Sequence, residues 1–159
     1  METVYIETTI VSYLVARSSR DLVLAAHQQL TRDWWQNERL IYQCVTSEEV
    51  IREAAQGEAV MSRARLEALE GIPVIPITAE VETRASTFLN TGAVPANMRP
   101  DATHLAGAVQ AGADYLLTGN CRHLANAHVL RRLRKEAEKR GWSLPYVCTP
   151  LELMGDSAL

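Results

Sequence analysis

Five short apolar runs of strand length punctuate the chain, at residues 4–6, 40–45, 72–77, 115–117 and 146–148, and helix signals fill the stretches between them. That alternation restricts the fold more than any other feature. Strands separated by helices predict an α/β domain with a central, mostly parallel sheet and helices on both faces. Asp21 is placed to cap a helix running to about Trp35, with Leu22, Ala25, Ala26, Leu30 and Trp34 near one face. Thr46 and Ser47, followed by Glu48 and Glu49, form a helix start, and Val50, Ile51 and Ala54 point inward before Gly57 stops it. Further helices are predicted over residues 58–70, 78–90, 102–112 and 129–140. Pro73 and Pro76 bracket the third run and favour an edge strand. In the loop over residues 91–100, Pro100 reads as an extended lead-in to Asp101, the cap or first turn of the next helix.

A length of 159 residues, 47% hydrophobic, supplies one core and too little for two, so residues 1–159 are expected to form a single domain. No apolar run approaches the roughly 20 residues that span a bilayer. The opening METVYIETTI lacks a basic segment leading into an apolar one, so neither membrane insertion nor export is expected. Cys44, Cys121 and Cys148 are odd in number and far apart, which fits a reducing cytoplasm better than a disulfide framework or a zinc site. A net charge of −3 rules out holding nucleic acid by bulk electrostatics. Arg131, Arg132, Arg134, Lys135, Lys139 and Arg140 make one local basic cluster, the one segment that offers local nucleic-acid contact, weighed against an ordinary solvated helix face.

Ligands of parallel sheets bind beyond the carboxyl ends of the strands. Glu7 follows the first strand and Asn120 follows the fourth, so both are placed there. Four segments then carry a family likeness: YIETTIVSYL, TSEEVIREAAQG, RPDATHLAGAVQAGADYLLTGN and NCRHLANA, in that order, with a closing YVCTPLELM. Together they resemble the PIN domain family, especially its VapC-like toxin branch, and the fold is expected to be PIN-like. The resemblance implies a magnesium- or manganese-dependent endoribonuclease, commonly the toxin of a toxin-antitoxin pair, held by a cognate antitoxin and often a homodimer. It places the family's four acidic positions on Glu7, Glu53, Asp101 and Asn120. Glu7 replaces the usual Asp, one methylene longer, and Asn120 replaces an Asp and loses its charge. Glu7, Glu53 and Asp101 are the expected metal ligands. Thr8, Thr118, Arg122 and His123 are expected in the surrounding shell or against substrate.

The chemistry matches these residue types. Magnesium takes oxygen ligands and keeps several waters, so a few carboxylates from distant positions can share one ion. Three carboxylates brought together without a cation would repel one another, which makes the cluster sensible chiefly as a metal site. His104, three residues after Asp101 on one helix face, reads as a packing residue. Two rivals compete with the nuclease. One is a catalytically impaired PIN-like RNA-binding or partner-binding module. The other is a phosphatase of the haloacid dehalogenase type or a receiver-like phosphate acceptor, but both need an Asp nucleophile where Glu7 stands. No GxxxxGK or GxGxxG loop is present.

Overall fold

The computed structural model describes residues 1–119 and 124–155. Five strands, β1 (Thr3–Ile6), β2 (Gln43–Ser47), β3 (Val74–Ile75), β4 (Tyr115–Leu117) and β5 (Tyr146–Cys148), form one wholly parallel sheet in the order β3-β2-β1-β4-β5. Val4, Tyr5 and Ile6 of the central strand are completely buried. Unbroken burial along a strand requires cover on both faces.

The chain moves outward from β1 to β3, then returns to the other side of β1 to build β4 and β5. Parallel crossovers are right-handed, so this reversal sends the two sets of connecting helices to opposite faces. On the first, α1 (Thr8–Val15) packs against α2 (Leu22–Asn37), α3 (Glu48–Ala54) and α4 (Ala59–Ala68). Then α5 (Ala79–Asn90) packs along α6 (Arg99–Gln110), and α7 (Ala127–Lys139) joins β4 to β5. The reversal beside β1 opens a crevice between the carboxyl ends of β1 and β4. Among the described residues, no helix is long and apolar enough to cross a membrane.

Several local expectations need correction. The α1 helix was not anticipated, because TTIVSYLV is rich in residues that favour strands. Its start is set by Glu7, whose carboxylate accepts from the Thr9 N–H and caps the first turn. The second strand begins later than residue 40. Arg39–Ile41 is a 3-10 turn with Leu40 and Ile41 exposed, and the strand runs Gln43–Ser47. On α2, Leu22 and Ala26 face solvent, and the inward face carries Gln28, Thr31 and Trp34. Gln28 accepts from the Ser19 N–H and donates to the Arg17 carbonyl, so this polar side chain ties the preceding loop to the helix. Pro100 lies inside the first turn of α6 rather than leading into it. Its missing N–H costs nothing there, since first-turn N–H groups have no partner within the helix.

The basic cluster on α7 is largely occupied. Arg132 donates to the Thr91 carbonyl, Arg134 donates to the carbonyls of Leu144 and Pro145 and lies over the Tyr146 ring, and Arg140 pairs with Glu136. Arg134 thus braces the approach to β5, and Arg132 ties α7 to the end of α5.

Candidate metal centre

Four elements meet at the crevice. Glu7 is the first residue beyond β1, and its backbone N–H continues the ladder to the Leu117 carbonyl at 3.1 Å. Thr118 is the first beyond β4. Ser47 ends β2 and caps α3, which carries Glu53 two turns later. The α6 helix runs back along the sheet, so its first turns, with Asp101 and His104, lie at the strands' carboxyl ends.

Glu7 is 4% exposed and tightly held. Its Oε2 accepts from the Thr9 N–H at 3.1 Å, the Thr9 hydroxyl at 2.5 Å and the Thr118 hydroxyl at 2.8 Å. The Thr9 hydroxyl in turn accepts from the Gly119 N–H at 2.7 Å. With Oε2 so occupied, Oε1 faces His104 Nε2 at 3.8 Å. Across the crevice, Glu53 Oε1 accepts from the Thr8 hydroxyl at 2.8 Å and lies 2.5 Å from His104 Nε2.

His104 is 1% exposed. Its Nδ1 sits 3.0 Å from the Tyr5 hydroxyl, which is 2.6 Å from Ser47 Oγ. Despite the short approach to Glu53, Nε2 makes no aligned hydrogen bond. Burial works against charge on the ring, but contact with Glu53 and the negative charges of Glu7, Glu53 and Glu49 outweigh it and raise the His104 pKa. Burial likewise acts to raise the Glu53 pKa, and His104, the Thr8 hydroxyl and Arg52 together reverse that and lower it. Burial foremost, opposed by the Ser47 hydroxyl and reinforced by the neighbouring glutamates, keeps the Tyr5 phenol protonated far above its usual range. Glu7 and Glu53 thus both face the His104 ring, and their charges converge where a divalent cation would balance them.

Ligand atoms of Glu7, Glu53 and His104 all lie within 4.8 Å of one another. Two buried or half-buried carboxylates and an imidazole nitrogen without an aligned partner are a donor set that fits a divalent ion. Of the expected ligands, Glu7 and Glu53 are therefore brought together. Asp101 is buried in the first turn of α6, one turn before His104, but lies outside this tightest group and lines a small pocket with Val94, Leu124 and Leu133. Thr8 and Thr118 donate to Glu53 and Glu7 respectively. Asn120, Arg122 and His123 lie outside the described residues. His104 was expected only to pack. The signal that it does more was a single ionisable residue within an otherwise uncharged and wholly buried stretch, residues 102–108.

The PIN domain family model matches residues 4–129. No curated protein matches the sequence. Among solved structures, the fold is similar to a chain in the crystal structure of VapBC2 from Rickettsia felis bound to a DNA fragment from their promoter. That similarity has a TM-score of 0.51 and 14% sequence identity, and covers 92% of this chain and 98% of the other. The family match spans most of the sequence, with the crevice residues Glu7, Glu53, Asp101 and His104 inside it, and the chain belongs to the PIN domain family, whose members are generally nucleases.

Proposed function

We propose that this protein is a divalent-metal-dependent endoribonuclease, using magnesium or manganese, and the toxin of a toxin-antitoxin pair. One observation carries the catalytic part. Glu7 and Glu53, 46 positions apart in sequence, converge at the β1/β4 crevice with their ligand atoms and that of His104 within 4.8 Å. Such convergence of like charges is costly unless a cation balances it. Asp101, one turn from His104, supplies a further acid near the same helix start, and Asn120 is the proposed fourth position.

A bound divalent ion would supply a water of lowered pKa and charge stabilisation at the phosphorus under attack. The chain's own residues provide the frame. Thr9 and Thr118 pin one oxygen of Glu7, so the other is presented to the crevice. Thr8 holds Oε1 of Glu53 from the start of α1, tying the helix that begins at β1 to the one that begins at β2. Side chains held this way lose little freedom on binding, which favours turnover over mere capture. Arg122 and His123 are proposed to meet substrate phosphate.

The toxin assignment rests on the family and on the fold shared with a chain of Rickettsia felis VapBC2 bound to a DNA fragment from their promoter. A cognate antitoxin is the proposed protein partner, the proposed assembly is a homodimer, and the proposed location is the cytoplasm. The test is cleavage of total RNA in manganese by the parent protein beside Asp101→Ala and Glu53→Ala. Both variants are expected to keep the parent's circular dichroism and lose cleavage. Undiminished cutting by either would remove that residue from the site, and no cutting by the parent with either metal would remove the nuclease assignment.

A further inference from the structure

The family resemblance supplies oxygen ligands only, and it is His104 that departs from that plan. On the metal-dependent reading above, we infer that His104 Nε2 is itself a ligand of the ion, that Tyr5 and Ser47 hold its ring in the ligating tautomer, and that the site consequently favours a first-row transition ion such as manganese over magnesium.

The hydrogen bonding around the ring leads to this. Ser47 Oγ receives the Val50 N–H as the α3 cap and lies 2.6 Å from the Tyr5 hydroxyl. Tyr5 has one proton to give. Given to Ser47, it leaves the phenol oxygen accepting from an Nδ1–H at 3.0 Å, and Nε2 then carries a lone pair. Histidine ligands of metals typically spend their second nitrogen in this way, on a fixed polar group that sets the tautomer and the ring orientation. The opposite arrangement, with Nε2–H donating to Glu53, meets a geometric objection: at 2.5 Å from Oε1 the nitrogen still makes no aligned hydrogen bond, and Glu7 Oε1 at 3.8 Å is too far to accept one. A completely buried N–H without an aligned acceptor is costly, whereas a lone pair flanked by two carboxylates is what a cation requires.

Gly107 belongs to the same arrangement. A Cβ there would sit 3.5 Å from the Tyr5 ring and 3.8 Å from Ser47 Cβ, ordinary contact distances, so this turn of α6 lies directly over Tyr5 and Ser47 with His104 one turn away. Magnesium demands oxygen ligands and sheds water reluctantly, while imidazole suits transition ions better. Replacing one oxygen by nitrogen therefore shifts preference rather than merely strength.

The test uses the full chain, freed of metal and reloaded with manganese alone, in pulsed electron paramagnetic resonance. A nitrogen coupling to the manganese is expected, converted to the heavy-isotope pattern when histidine is supplied as 15N and lost in His104→Gln. Calorimetric titrations with manganese and with magnesium should show His104→Gln lowering the manganese-to-magnesium affinity ratio about tenfold or more, and Tyr5→Phe weakening manganese by about tenfold while retaining the coupling. The isotope arm needs no variant and so survives a failure of His104→Gln to fold. Firm manganese binding without histidine coupling, or coupling that persists in His104→Gln, overturns the ligand assignment and leaves the metal site standing. Absence of binding by either ion overturns both.

Discussion

The Thr118 hydroxyl donates to Glu7 Oε2 at 2.8 Å, joining the first residue past β4 to the first past β1 across the crevice where the strand order reverses. The bond has a directional consequence. It occupies the one Glu7 oxygen that Thr9 also binds, leaving Oε1 toward His104. Thr118→Val keeps the shape of the completely buried side chain and removes the donor. We expect manganese affinity to fall about tenfold, the usual scale for a group that orients a metal ligand, with Thr118→Ser restoring most of it. Calorimetry on both variants checks this, and equal affinity in Thr118→Val would show that Thr9 alone sets the carboxylate.

Glu7 differs from the Asp usual at its position, and the structure gives its extra methylene a use. Its carboxylate reaches Thr9 and Thr118 together at 2.5 and 2.8 Å through one oxygen. A shortened side chain on the same backbone cannot meet both and still present its second oxygen beside Glu53. Glu7→Asp is therefore expected to reduce kcat for RNA cleavage by at least about tenfold, equivalent to about 1.4 kcal/mol, instead of improving a supposedly imperfect site. Steady-state rates at saturating manganese decide it.

The sheet was legible because fully apolar triplets such as Val4, Tyr5 and Ile6 leave few other places to go once helices alternate with them. The α1 helix was not, because a side chain two residues upstream of Thr9, not its own propensity, starts it. The outward-facing Leu22 misled the helical-face argument for α2, since Gln28 bonds the preceding loop and Thr31 satisfies its hydroxyl on the His27 carbonyl of the same helix, so both polar side chains take the inward face. At the site, Glu7 and Glu53 could be paired from their positions in the family pattern, but local sequence carries no record of a 42-residue separation closing into a Tyr5–Ser47 contact. The role of His104 depends on that contact, which is why a packing role was the natural expectation.

Gly119 bounds the crevice for a steric reason, not a conformational one. A Cβ built there would fall 2.3 Å from Tyr13 Cε2 and 3.0 Å from Cδ2, so either the α1 ring or the loop must move. The loop holds the Gly119 N–H on the Thr9 hydroxyl, so a shift reaches Glu7. Gly119→Ala should cost about 1–3 kcal/mol by overpacking and weaken manganese binding. Adding Tyr13→Ala should recover part of both losses. Urea denaturation of the two single variants and the double variant supplies the cycle, and strict additivity would refute the clash.

Alkaline pH should lower the stability of the protein through its thiols. Burial pushes Cys44 to about 11, with Arg39 partly opposing, and pushes Cys148 to about 12, with Glu152 adding to the effect. A thiol whose pKa is raised in the folded state keeps its full contribution below the unfolded value of 9.0 and loses it as pH climbs toward the folded one, because the unfolded chain gives up its protons first. Tyr42 and Tyr115 shift upward as well, Tyr42 mainly through burial and Tyr115 mainly through its hydrogen bond to Glu2, and steepen the same trend. The urea midpoint should therefore hold steady up to about pH 9 and fall above it, and a Cys44→Ala, Cys148→Ala double variant should fall less steeply. Peptide mapping after alkylation at neutral pH gives an independent check. Thiols held protonated and shielded should stay unlabelled until denaturant is added, and rapid labelling of Cys148 in the native protein would contradict the buried environment that raises its pKa.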